Sequence, residues 1–331
     1  NNLLNVIDPP EETDQFGNEL LGEIFSWFPD KVVYKLNYLL TKIRLFGNEQ
    51  IINYFEVLVS SIIRNISQQE PKDLRIRRRK EPIEDAPVFE LYLKLLQKEK
   101  KKLEHYWDAK DQGAIDYGTF TVALCDNRDF GSYLSIGLTE NSIDCIVTSP
   151  PYATALPYID TDRLSILIIN QLASGRRAVI ERDLTGSREI KKSELKFLNE
   201  IISEKNADLP EIVKNSIFHI YEINENDPNA GFRKKNTAAL LLRYFLDIKK
   251  VLINNFKVLK PDGVAFFVVG DSKTKLFEEW YNISTCEFLV EIASSVGFKS
   301  SKFMDISVTN NNMINSKNFI ESNSILKFEK P

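Results

Sequence analysis

The run Thr148-Ser149-Pro150-Pro151-Tyr152 joins a hydroxyl, two consecutive prolines and an aromatic ring, directly after the apolar stretch Ile143-Asp144-Cys145-Ile146-Val147. An amino group attached to a heteroaromatic ring is a weak nucleophile, because its lone pair is delocalised into the ring. Acceptors that take hydrogen bonds from both N–H groups draw that nitrogen toward tetrahedral geometry. Ser149 Oγ and the backbone carbonyl of Pro150 are suitable, uncharged acceptors, and the prolines fix the backbone so that both are preorganised. Tyr152 offers an aromatic face on which a base flipped out of a duplex can stack. Such chemistry needs no metal and no histidine base. The same five residues also suit a rigid loop or a polyproline segment, so the surrounding elements must decide.

Those elements read as the carboxyl-terminal edge of an α/β sheet. Phe120-Thr121-Val122-Ala123-Leu124-Cys125 is a β-branched, apolar run ending in Asp126-Asn127, and Ile143 to Val147 forms a second, buried strand. A long helix is expected from about Asn236 to Leu259, ended by Lys260-Pro261-Asp262-Gly263. A buried strand follows at Val264–Val269, then a helix over about Glu278–Val296 with Gly297 as its C-cap. Last strands fall near Lys302–Val308 and Ser324–Phe328. Short strands alternating with helices imply a parallel sheet, whose ligands sit at the carboxyl ends of the strands. Asp126 and Ser149 both fall there.

The first third is different. Asp30 is expected to cap a helix with Val33, Leu36, Leu39, Leu40 and Ile43 on one face. Gly47-Asn48 breaks it before Ile51, Ile52, Phe55, Leu58, Val59, Ile62 and Ile63 repeat the spacing. Another helix spans Val88 to about Trp107. Between them lie Arg75, Arg77, Arg78, Arg79 and Lys80, which could neutralise phosphates or form a solvated loop paired with Glu81, Glu84 and Asp85. Residues 1–112 thus read as a helical region and 113–331 as the α/β region.

Composition excludes several classes. The net charge of −4 confines any nucleic-acid surface to a local patch or to a partner. Cys125, Cys145 and Cys286 are widely spaced and only two histidines accompany them, so neither a disulfide framework nor a metal site is expected. No apolar run approaches the roughly 18–20 residues of a membrane span, and a cytoplasmic protein is expected.

The segment Ile143 to Tyr152 resembles the catalytic motif of the DNA amino-methyltransferases that act on cytosine N4 or adenine N6. Ala153 to Arg163, Gly186-Ser187-Arg188-Glu189 and the helix leading to Leu259-Lys260-Pro261-Asp262-Gly263 are similar to one bacterial branch of that family. The resemblance implies a Rossmann-like methyltransferase sheet preceded by a helical, Arg-rich insertion. It also implies S-adenosylmethionine as methyl donor and double-stranded DNA as substrate. Ser149, Pro150, Pro151 and Tyr152 would be catalytic, with Asp126, Asn127 and Thr148 near the cofactor. Serine before the prolines leans toward cytosine N4, with adenine N6 as the alternative. A non-catalytic DNA-binding subunit and an RNA or protein methyltransferase remain open.

One part of the family pattern is absent. Those enzymes hold the cofactor with a glycine-rich loop after the first strand, yet none of the 13 glycines here is spaced G-x-G. Gly113 to Gly118 is the nearest cluster. Asp8 is a weak candidate for the acidic residue of the second strand, while Asp8-Pro9-Pro10 reads as a linker. In the implied sheet the first two strands lie between the third (Thr119–Cys125) and the fourth (Ile143–Val147). The expectation is a split enzyme, whose glycine-rich loop sits on a second polypeptide or on a segment removed by truncation.

Overall fold

The structure, a computed structural model, describes residues 17–73, 76–113, 118–153, 158–277, 279–307 and 322–331. In order along the sequence the helices and strands are α1 (Gly17–Trp27), α2 (Asp30–Arg44), α3 (Glu49–Ile62), α4 (Val88–Asp111), α5 (Phe130–Ser135), β1 (Ile143–Thr148), α6 (Tyr158–Ile169), α7 (Ser174–Asp183) and α8 (Lys192–Ser203). There follow α9 (Glu211–Asn226), α10 (Phe232–Lys235), α11 (Thr237–Val258), β2 (Leu259–Val269), β3 (Ser272–Leu276), β4 (Glu279–Ile283), α12 (Thr285–Val296), β5 (Lys299–Ser307) and β6 (Ser322–Glu329). The molecule is mixed α/β and divides into two units, 1–121 with 158–180, and 122–157 with 181–331.

This division departs from the expected boundary at 112. Residues 158–180 join the helical unit because Leu164, Leu167 and Ile168 are buried in one core with Leu20, Ile24, Leu36, Leu40, Val59 and Ile62. A polar cluster reinforces it. Glu23 Oε1 accepts hydrogen bonds from Arg163 Nη2 at 2.8 Å and Arg177 Nη2 at 2.6 Å. Burial opposes ionisation of Glu23, but the two guanidinium groups hold its carboxyl below the usual range. Asp30 is the first helical residue of α2 rather than its cap, which falls on Pro29; its carboxylate instead complements the helix dipole. Asn48 caps α3, its side chain accepting from the Ile51 amide.

In the second unit the sheet order is β1-β2-β6-β5, with β1 parallel to β2 and the remaining pairs antiparallel. Ala265, Phe267 and Val269 of β2 and Leu326 and Phe328 of β6 are buried on one face, against Leu241, Phe245, Ile248 and Leu252 of α11 and Phe288, Leu289 and Ile292 of α12. Each of these side chains larger than alanine stabilises the fold by roughly 1.5–3 kcal/mol. Gly297, at φ 114°, closes α12 as its spacing implies.

Three expectations are corrected. Residues 118–126 are in neither helix nor strand. Phe120, Val122 and Leu124 are 87%, 89% and 101% exposed: the composition favours a strand, but no described strand lies beside it to complete a ladder. Secondly, β1 is not a buried strand. It ends the sheet, none of its residues is fully buried, and Val147 is 73% exposed. Thirdly, the helix expected from Glu278 begins only at Thr285, and β3 and β4 form an antiparallel hairpin ahead of it. The expected strand over 302–308 is β5, shifted to Lys299–Ser307, while Val308, Asp8 and residues 114–117 lie outside the described residues. No described helix is long and apolar enough to cross a membrane.

Candidate active site

β1 delivers Thr148, paired with Phe267 of β2, into the loop Ser149-Pro150-Pro151-Tyr152. Pro150 is buried and Ser149 is exposed. The Ser149 hydroxyl donates to the Val268 carbonyl at 3.1 Å. Its proton is thereby committed to the neighbouring strand, and the oxygen lone pairs are left to accept from a ligand. Among the described residues the Pro150 carbonyl has no hydrogen-bond donor, whereas the Pro151 carbonyl accepts from Tyr244 at 2.8 Å. The Tyr152 hydroxyl donates to Asn323 Oδ1 of β6 at 3.2 Å, which anchors one end of a half-buried ring.

Helix α11 is the spine behind these segments, a role its sequence does not reveal. Tyr244, 1% exposed, clamps the Pro-Pro loop. Beside it Arg243 donates to the carbonyls of Ser187 at 2.6 Å and Glu189 at 3.0 Å. That second loop approaches the first at Gly186, where a Cβ would lie 3.3 Å from the Tyr152 carbonyl and φ is +79°. Only glycine tolerates both the angle and the approach. One turn further on, Asp247 Oδ2 accepts from Arg128 at 3.3 Å and from Thr185 at 3.5 Å. Asn254 donates to the Asn127 carbonyl at 3.0 Å. Residues 243, 247 and 254 recur at i, i+4 and i+11, which places them on one side of the helix. Buried polar residues at that spacing inside an apolar helix are the available signal.

Asp126 and Asn127 are thus fastened to the same helix as the loop. The Asp126 carboxylate is engaged by Arg128, at 3.0 Å to Nε and 2.8 Å to Nη2, and the Arg128 guanidinium holds its carboxyl below the usual range. These contacts tie the loop after β1 and residues 126–128 to one helix. A depression of about 400 Å³ lies between α8 and α9, lined by Lys192, Asn199, Glu200 and Tyr221 among others, and no loop residue lines it. Among the described residues no group of three His, Cys, Asp or Glu side chains could hold a metal.

In the Arg-rich segment, Arg75 lies outside the described residues. Arg79 turns inward, donating to the carbonyls of Ser67 and Asn65 at 2.8 Å each. Arg78 lies 4.3 Å over the Trp27 ring and donates to Ser26 O at 2.7 Å. Arg77, paired with Asp73 at 3.3 Å, and Lys80 are exposed.

Replacing Tyr244 with phenylalanine removes one hydrogen bond and little volume. Amide hydrogen exchange at Tyr152 and Ala153 is expected to rise about fivefold, as follows from ~1 kcal/mol for a net hydrogen bond. Unchanged exchange would show that the Tyr244 hydrogen bond does not hold the loop.

No family model matches the chain. It is similar to the Type II methyltransferase M.MvaI of Kocuria varians, at 22% identity over 259 residues. That alignment covers 76% of this chain and 52% of the relative, so the chain spans about half the length of the curated relative it matches. Among solved structures it is similar to TTHA0409 of Thermus thermophilus, provisionally described as a DNA modification methylase and solved with S-adenosyl-L-methionine. The identity is 16% and the TM-score 0.30, over 63% of this chain and 54% of the other. A second structure of the same protein gives 15% identity and the same TM-score.

Proposed function

We propose that this chain is the target-base half of an S-adenosylmethionine-dependent DNA methyltransferase acting on an exocyclic amino group, with cytosine N4 favoured over adenine N6. The observation that carries this reading is the Ser149 hydroxyl, whose proton is held by Val268 while its lone pairs stay available beside the Pro150 carbonyl. Two uncharged acceptors fixed on a proline backbone suit an amino group that must be drawn toward tetrahedral geometry and placed in line with a methyl donor. The similarity to M.MvaI supports the same reaction class.

In this reading Tyr152 stacks on the flipped base, and α11 keeps the loop at a fixed distance from Asp126 and Asn127, which lie on the donor side. Thr148 would border that side, as the last residue of β1. The sheet supports a division of labour, because the strand that ends in the loop is also the one with no partner on its outer edge among the described residues. A second polypeptide, or a further segment, would add strands there and bring the glycine-rich loop that binds the donor. Arg77 and Lys80, with the exposed edge of Arg78, are the members of the Arg-rich segment best placed to meet phosphates.

The test is reconstitution. This chain, a candidate partner with a glycine-rich loop, and duplex DNA are incubated with radiolabelled S-adenosylmethionine. Labelled DNA is expected only from the mixture. Full activity and tight donor binding by the chain alone would remove the split. No activity in any combination, with DNA binding retained, would favour a binding subunit.

A further inference from the structure

We infer that the outward face of the β3–β4 hairpin, continued by α10, is a DNA-binding surface that takes the strand flanking the base held at Ser149; this rests on the reading of the loop as a base site. The register pairs Lys273 with Asn282 and Lys275 with Trp280. Since side chains alternate across a strand, these four share one face, while Ser272, Leu276 and Ile283 are buried on the other. Trp280 is 54% exposed, and Lys275 Nζ lies 5.4 Å from its ring centroid. Glu279, the carboxylate of β4, pairs with Leu276 and so belongs to the opposite face. The outward face therefore presents two cations, an amide and an aromatic ring.

The surface extends at the hairpin turn. Phe277 is half exposed there, and Lys234 Nζ of α10, which also lies 3.7 Å from the buried Asp227 carboxylate, approaches the Phe277 carbonyl at 3.5 Å. Lys234 is therefore engaged, while Arg233 is a cation of this end with no ion pair among the described residues. Phe232 stands exposed at the start of α10, with the Arg233 guanidinium 5.7 Å from its ring. In a protein of net charge −4, this gathers cations around three exposed rings. Lys273 and Lys275 are about 6.8 Å apart along the strand, roughly the axial rise of two nucleotides. Rings interleaved with cations fit a polymer that alternates π-faces and phosphates better than they fit an acidic peptide. The location agrees, since β3 begins four residues after Val268, whose carbonyl holds the Ser149 hydroxyl.

The experiment measures binding of the full chain to a fluorescent duplex between 50 and 200 mM salt (roughly the range in which counterion release dominates). The variant K273E/K275E is compared with K191E/K192E, an equal charge change at the start of α8. The hairpin double variant is expected to lower the slope of log K against log salt by about two, with the control close to wild type. Equal slopes for the two double variants would overturn the proposal, as would displacement of the duplex from the hairpin by polyglutamate at matched charge. Loss of binding in the hairpin variant, with no methyl transfer by any reconstituted wild type, would keep the surface and remove the enzyme. Intact methyl transfer with no hairpin effect would do the reverse.

Discussion

Replacing Ser149 with alanine is expected to lower methyl transfer by the reconstituted enzyme about 100-fold, with DNA affinity unchanged. The magnitude is that of deleting one preorganised polar partner from a group whose charge changes in the transition state. The geometry gives the prediction a direction. The Ser149 proton is spent on the Val268 carbonyl, so the hydroxyl can only accept, and threonine should rescue more activity than cysteine. Single-turnover assays at saturating DNA separate the chemical step from binding. A loss confined to KM would show that Ser149 positions DNA without acting on the amino group.

The second large effect lies in the helical unit. Glu23→Ala should lower its stability by about 3–5 kcal/mol, because Arg177, with only 5% of its side chain exposed, would be left buried without its counter-charge. Glu23→Gln, which keeps an acceptor, should cost less. Denaturant titration followed by circular dichroism reads both, and a loss below ~1 kcal/mol for the alanine variant would mean that water replaces the carboxylate. The sign with pH follows from the depressed carboxyl. The folded form binds its proton less readily than the unfolded protein, whose value is near 4.5. The contribution is therefore complete above that value and disappears as pH falls through the lower folded value. Wild type and Glu23→Gln should converge in stability on acidification.

The helical unit is legible in the sequence because its apolar spacing alone specifies which face is buried. Val33, Leu36, Leu40 and Ile43 are in the core their periodicity implies. The long helix and the strands around Phe267 and Phe328 are legible for the same reason. What cannot be read depends on partners distant in sequence. A strand exists only with a neighbour, so Phe120 to Cys125 has the composition of one without the hydrogen bonds. The hairpin escapes notice because Lys273, Thr274 and Lys275 carry no apolar alternation, while Trp280, Ile283, Phe288 and Leu289 fit a helix. Arg79 has the character of a phosphate ligand, yet its guanidinium satisfies carbonyls of its own unit; charge counts do not give side-chain direction. Arg243, Tyr244, Asp247 and Asn254 are hidden in a helix that reads as core.

The edge of β1, which no described strand covers, has a consequence for how the chain behaves on its own. An open row of backbone donors and acceptors is a template for any strand, including the same strand of another copy. Val147 and the exposed Val122 and Leu124 add adhesive surface to the same unit, and Asp144 of β1, with its side chain 81% exposed, is ion-paired with Lys260 at 2.7 Å, which keeps that part of the edge hydrated. If the proposed partner strand covers this edge, solubility and activity compete for it, and production of the chain alone would favour aggregates. Removing both charges of the Asp144–Lys260 pair would tilt that competition further toward aggregation.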